Sequence, residues 1–214
     1  MKKTLPIITF GAVIAMIGLA TGQEINHAQR YRACMAEAKN APQKGFEMAL
    51  SWRGLGGGDA AEHCGAAALI GLKQFTEAAN RLEALAEKTK QTAEVKSGLL
   101  AHAAQAWLLA GQATRAEAVL TAAFKLAPED SALFVDRAQA RAALKDFKGA
   151  LEDLNHAIAR EDRRADAYVF RAATYRFLDK PELALADVER ALALAPTHAE
   201  GLLERGILRR LRQD

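Results

Sequence analysis

The fold is indicated by one stretch of sequence that occurs in two versions. The chain reads RAATYRFLDKPELALADVERALALAP over residues 171–196 and RAQARAALKDFKGALEDLNHAIAR over residues 137–160. The two versions agree at an offset of 34 residues, and the same offset extends upstream into a third copy. A fixed offset of this size predicts a fold built from stacked structural repeats.

Seven columns of residues agree across the three copies. In the order of each unit they are Leu100/Phe134/Tyr168, Ala104/Ala138/Ala172, Trp107/Arg141/Tyr175, Ala116/Ala150/Ala184, Leu120/Leu154/Val188, Ala123/Ala157/Ala191 and Pro128/Asp162/Pro196. The first three columns fall at i, i+4 and i+7, and so do the next three, so each trio forms one face of an α-helix. Turn-forming residues such as AGQ at 110–112 separate the trios. Each unit is therefore a helix–turn–helix whose apolar face only neighbouring units can cover.

This pattern resembles that of tetratricopeptide repeat (TPR) proteins, in which bulky, small and aromatic residues recur at these spacings before a proline. Units 97–130, 131–164 and 165–198 match it, and the middle unit departs at Arg141 and Asp162, which occupy an aromatic and a proline column. The resemblance implies an all-α fold, an α-solenoid of stacked hairpins. Residues 199–214 restart the first-helix pattern and are expected to form a C-terminal capping helix.

Residues 23–96 carry a fainter version of the pattern, which we interpret as degenerate N-terminal helical repeats. Ala78 and Leu82 align with a small and a large column, although 38 residues separate Ala78 from Ala116. We expect one unit at 59–96 and another at 26–58, whose second helix is PQKGFEMALSW at 42–52. The glycines of GLGGG at 54–58 are expected to end that helix rather than to bind phosphate, because no Lys-Ser or Lys-Thr pair follows them.

Residues 1–22 have the composition of a secretory signal peptide. Lys2 and Lys3 precede an uncharged apolar run at 5–20, and small residues permit cleavage after Ala20 or Gly22. The run is short for a permanent transmembrane helix. We therefore expect a periplasmic or secreted protein of the exported bacterial type. The alternative is an uncleaved segment that anchors the chain in the inner membrane, facing the periplasm.

The chain contains only two cysteines, Cys34 and Cys64. An even pair in an exported protein predicts a disulfide, and both residues fall in first helices of neighbouring degenerate units. Two alternatives are a redox-active pair and a metal site that also uses His63. The sequence has neither CxxC nor CxxCH and offers no further ligands at metal spacing, so a structural disulfide is favoured.

The charged residues recur with the repeat. Arg137, Arg171 and Arg205 are spaced by 34 residues, as are Asp153 and Asp187. We interpret them as structural ion pairs between units rather than as a binding surface. The formal net charge of +3 gives little support for a nucleic-acid partner.

No group of catalytic residues is recognisable in the sequence. The five histidines show no metal spacing, and no Ser/His/Asp grouping or carboxylate pair stands out from the charges of the helix faces. We therefore expect no enzyme, no metal and no cofactor.

The resemblance implies a groove, lined by first helices, that binds a peptide or a helix of a partner protein. The family's groove-facing positions correspond here to Arg30, Glu37, His63, Gln105, Leu108, Val135, Gln139, Val169 and Arg176. This set lacks the Lys and Asn residues with which some family members hold a C-terminal carboxylate. We expect a protein-interaction adaptor or scaffold in the cell envelope, with membrane contact only through an uncleaved N-terminal segment. The alternative is a thiol-disulfide or envelope-maturation factor that uses Cys34 and Cys64.

Overall fold

The computed structural model describes residues 26–212, which form eleven α-helices and, within that range, no β-strand. The helices are α1 His27–Asn40, α2 Pro42–Gly54, α3 Gly58–Gly71, α4 Phe75–Lys88, α5 Ala93–Leu109, α6 Ala113–Leu126, α7 Ser131–Ala143, α8 Phe147–Arg160, α9 Ala165–Phe177, α10 Pro181–Leu194 and α11 Ala199–Arg212. Each helix packs against its neighbours in the chain, and α1 packs equally closely against α3. The predicted all-α solenoid is confirmed. The signal peptide predicted at 1–22 lies outside the described residues.

The columns of the repeat form the core of the hairpins. In the second helices, three columns of the repeat are fully buried. Two of these columns are alanine and the one between them is leucine or valine. Their residues are Ala116, Leu120, Ala123, Ala150, Leu154, Ala157, Ala184, Val188 and Ala191. Small side chains let the two helices of a hairpin approach closely, and the large ones fill the space beside them. None of the helices in the described part of the chain is long and apolar enough to cross a bilayer.

The turns inside four hairpins, α3–α4, α5–α6, α7–α8 and α9–α10, share one backbone conformation. The second residue after the first helix has a positive φ at Lys73 (60°), Gly111 (73°), Lys145 (65°) and Asp179 (55°). In each turn the next N–H donates to the carbonyl five residues upstream, which is the Schellman ending of a helix. Only Gly111 adopts this left-handed conformation without steric cost. The direction of each hairpin is therefore set by the same local geometry.

The recurring arginines and aspartates form buried ion pairs, but within hairpins rather than between units. Arg137 of α7 donates to both carboxylate oxygens of Asp153 on α8, at 2.9 and 2.6 Å. Arg171 of α9 does the same to Asp187 of α10, at 2.7 and 2.8 Å. Arg205 of α11 pairs instead with a glutamate of the preceding hairpin. The pairs therefore mainly fasten the first helix of a unit to its own second helix.

Candidate functional site

The candidate site is a groove across the first helices of the N-terminal half. It encloses about 440 Å³. Its lining comes from α1, α3 and α5, with one residue from α4, and consists of Met35, Ala38, Lys39, His63, Ala67, Ile70, Gly71, Leu82, His102 and Gln105. Most of these side chains are apolar, and the polar ones come chiefly from α3 and α5. We refer to this surface as the groove.

Three side chains from successive first helices form a hydrogen-bonded chain beside the groove. The Tyr31 hydroxyl lies 2.7 Å from Nδ1 of His63, and Nε2 of His63 lies 2.9 Å from Nδ1 of His102. The two imidazole rings are nearly parallel, with centroids 5.1 Å apart. Burial, assisted by the neighbouring His102, lowers the pKa of His63 to about 4. Burial also lowers the pKa of His102, so both rings are neutral at pH 7.

Acidification is expected to destabilise the protein through His63. Because its pKa is about 4 in the folded protein against an ordinary 6.5, the unfolded chain takes up the proton first. The contribution of His63 to the free energy of unfolding has its full value above pH 6.5. It falls by on the order of 2 kcal/mol as the pH decreases from 6.5 through 4. His63→Gln should flatten this part of the profile in urea denaturation between pH 7 and 4. The control is His156→Gln at an exposed histidine, and parallel profiles for wild type and His63→Gln would contradict the expectation.

Two of the nine predicted groove residues, His63 and Gln105, line the groove. The Gln105 side-chain amide donates to Oδ1 of Asp136 on α7 at 3.3 Å. Asp136 is only 8% exposed, and this burial raises its pKa to about 6. The hydrogen bond from Gln105 lowers the same pKa, but by less. Gln105 is therefore held by a buried carboxyl at the edge of the groove.

The prediction is wrong for Val135 and Val169. Their side chains are 2% and 4% exposed, so they offer no surface to a partner. Val135 belongs to the apolar cluster between α7, α8 and α9, and Val169 packs against α11 beside Gly201. The physical reason is that successive first helices contact each other, α7 with α9 and α9 with α11, which covers the faces that Val135 and Val169 occupy.

The other predicted residues lie outside the groove lining. Arg30, Leu108 and Gln139 are half-buried on α1, α5 and α7. The Glu37 carboxylate accepts a hydrogen bond from the Lys44 ammonium of α2 at 2.7 Å. The last of the set, Arg176, forms a buried pair that is described next.

Arg176 forms an ion pair inside the protein. Its guanidinium donates to both oxygens of Glu204 on α11, at 2.5 and 3.2 Å. Glu204 is 6% exposed. The pair therefore attaches the last helix to the preceding hairpin, and its charge is not available to a ligand.

Sequence reasoning missed Tyr31, Met35, Ile70 and His102, all of which lie in the groove or in the hydrogen-bonded chain. A weak signal existed for His102. It follows His63 by 39 residues, close to the offset of 38 residues between Ala78 and Ala116. Equivalent positions in adjacent first helices lie side by side in a solenoid.

Metal ligation by the cysteines and His63 has no support in the structure. Cys34 of α1 and Cys64 of α3 are joined in a disulfide, with Cα atoms 6.1 Å apart and both side chains fully buried. Their sulfur atoms are thus not free to bind a metal. Within residues 26–212, no three His, Cys, Asp or Glu side chains are grouped to hold a metal ion.

Comparison with known proteins connects this architecture to a family. No family model matches the sequence. A segment of 58 residues is 38% identical to human Tetratricopeptide repeat protein 16, and the match spans 27% of this chain and 7% of the human protein.

Solved structures extend the similarity. TTC0263, a TPR protein of Thermus thermophilus, has a TM-score of 0.69 at 20% identity over 85% of this chain and 98% of its own. The first TPR of Spaghetti (RPAP3), solved with an HSP90 peptide, has a TM-score of 0.53 at 27% identity over 59% of this chain and 100% of its own. Since the three columns of the second helices are also fully buried, this chain has the fold of tetratricopeptide repeat proteins.

Proposed function

We propose that this chain is a non-enzymatic interaction module that binds a segment of a partner protein in the groove of α1, α3 and α5. The observation that carries the proposal is the groove itself, an open apolar channel formed across three first helices. The first TPR of Spaghetti, which is similar to this chain, was solved with a bound peptide, SRMEEVD. A groove between packed helices is a common way to bind a peptide or an amphipathic helix.

The lining defines the kind of segment that fits. Met35, Ala67 and Ile70 supply apolar surface, and Met adapts its shape to different side chains. His63, His102 and Gln105 supply polar atoms along one side. The matching partner is therefore a segment with an apolar anchor residue flanked by groups that form hydrogen bonds with neutral imidazole and amide side chains.

We place this module in the cell envelope, exported by its N-terminal segment. Lys2, Lys3 and the apolar run at 5–20 support export. The Cys34–Cys64 disulfide fits the same location, since disulfides persist in oxidising compartments. Fractionation of cells that express the full chain tests the location, and recovery in the cytosol would exclude it.

The alternative function, thiol-disulfide exchange through Cys34 and Cys64, has less support. Exchange requires attack on a sulfur atom that a second thiol can reach. Both cysteines are fully buried, so an incoming thiolate has no access in the folded protein. Rapid reduction of the native protein by a small dithiol, at a rate above that of its unfolding, would favour this alternative.

Blocking the groove is expected to abolish partner binding. Ile70→Lys introduces a long charged side chain into the apolar lining, and we expect the affinity to fall by about 100-fold, as for a central anchor contact. The measurement is affinity purification from the native source with mass spectrometry, followed by titration of the identified partner. Leu50→Lys, on α2 and already 40% exposed, is the control. Unchanged affinity for Ile70→Lys with intact helicity would place the binding surface elsewhere.

A further inference from the structure

The outer face of α11 is apolar and uncovered in the described part of the chain. Gly201, Glu204 and Leu208 of this helix are buried against the preceding hairpin. Leu202 and Leu203 lie on the opposite side and Ile207 and Leu211 towards the edge of the buried face, and Leu203 and Leu211 are 65% and 62% exposed. A helix that caps a solenoid normally has a polar outer face. The expected capping role of 199–214 is therefore incomplete, because this helix itself needs a cover.

This face is complementary to itself when two copies run in opposite directions. Leu203 projects from it, whereas Gly206 leaves open space, since a Cβ atom there would meet nothing within 4 Å. The first turn carries Glu200, whose side chain is 71% exposed. The last turn carries the exposed Arg209 and Arg210. One helix thus presents a projection and a gap, and an acidic and a basic end.

We propose that α11 pairs with α11 of a second copy, antiparallel about a two-fold axis near residue 205. A two-fold interface uses the same patch on both subunits, so the patch must match itself. In this register Leu203 of each copy packs over Gly206 and beside Ile207 of the other. Glu200 of each copy faces Arg210 of the other. A parallel pair would instead place the arginines of both copies together, and like charges in contact oppose association.

The pairing leaves the groove accessible. The groove is formed by α1, α3 and α5, at the opposite end of the chain from α11. The dimer therefore displays two grooves, one at each far end. A partner with two binding segments, or a partner that is itself oligomeric, would be bound with an avidity above that of one groove.

A charge-swap experiment tests the proposal. Sedimentation equilibrium of the purified chain over a concentration series should give twice the mass that mass spectrometry gives for the single chain in the same preparation. Glu200→Arg and Arg210→Glu should each raise the dimer dissociation constant by at least about 10-fold, because each brings like charges together. An equimolar mixture of the two variants should restore dimers. In the mixed dimer the introduced arginine of one chain faces the introduced glutamate of the other, and the second contact remains native.

Two further variants separate this surface from others. Leu203→Lys should dissociate the dimer without loss of helicity by circular dichroism. Leu109→Lys, at a leucine that is 55% exposed on α5, should leave the dimer intact. A wild-type chain that is monomeric throughout would overturn the proposal and assign the face to a different partner. Dimers that persist in Leu203→Lys, or a mixture that fails to re-form them, would overturn it as well.

Discussion

Asp153→Ala is expected to lower the free energy of unfolding by about 3–5 kcal/mol, the cost of removing one member of a buried ion pair. The Asp153 side chain is 2% exposed and joins two arginines of α7. Arg137 donates to its two oxygens at 2.9 and 2.6 Å, and Arg141 donates at 2.9 Å. Removing the carboxylate leaves the Arg137 guanidinium, only about a fifth exposed, without the charge that offsets its desolvation, and it leaves Arg141 paired with Glu117 at 3.3 Å.

Urea denaturation followed by circular dichroism measures this effect. Glu152→Ala, at the neighbouring exposed position, is the matched control and should change stability by less than about 0.5 kcal/mol. Asp153→Asn keeps the shape but removes the charge, and it should fall between the two. A loss below about 1 kcal/mol for Asp153→Ala would mean that the arginines are stabilised by solvent or by other partners.

Removing the disulfide with Cys34→Ala/Cys64→Ala is expected to cost about 3–4 kcal/mol, because the bond closes a segment of 30 residues in the unfolded chain. The effect should be concentrated at α1 to α3. In the described part of the chain α1 is the first helix of the stack and packs mainly against α2 and α3, and the stability of a solenoid is a sum of local contributions. Hydrogen exchange should accelerate there before it changes in α7 to α10.

Reductant provides the control for the disulfide prediction. Because both sulfurs are buried, the wild-type protein should resist dithiothreitol under native conditions and lose stability only after partial unfolding. The double alanine variant should be insensitive to reductant throughout. Equal stability and equal exchange rates in wild type and variant would show that α1 is held by its side-chain packing alone.

The hairpins could be predicted from the sequence because they depend on local spacing. The positions of Ala150, Leu154 and Ala157 on one helix face follow from the geometry of any α-helix. Their complete burial follows from the need to cover that face. The ion pair of Arg137 with Asp153 was also visible as a recurring spacing, but its location within one hairpin was not.

The groove was less predictable because it depends on how successive hairpins are displaced against each other. That displacement brings His102 to His63 and buries Val135, although the family's groove positions include Val135 and leave out His102. No local pattern encodes the distance between side chains 39 residues apart on separate helices. The partner of Arg176 was equally unpredictable. In the sequence no acidic partner for Arg176 is recognisable, whereas in the fold Glu204 of α11 lies beside it.

Sequence alone determined that this protein is a stack of helix pairs. A helical face of alternating small and large residues is stabilised when it packs closely against a similar face. Tertiary structure alone decided which surfaces remain for other molecules. The groove and the outer face of α11 are among the surfaces that the packing leaves uncovered. Exposure is a property of the whole arrangement of helices, whereas the tendency to be buried is already present in each residue.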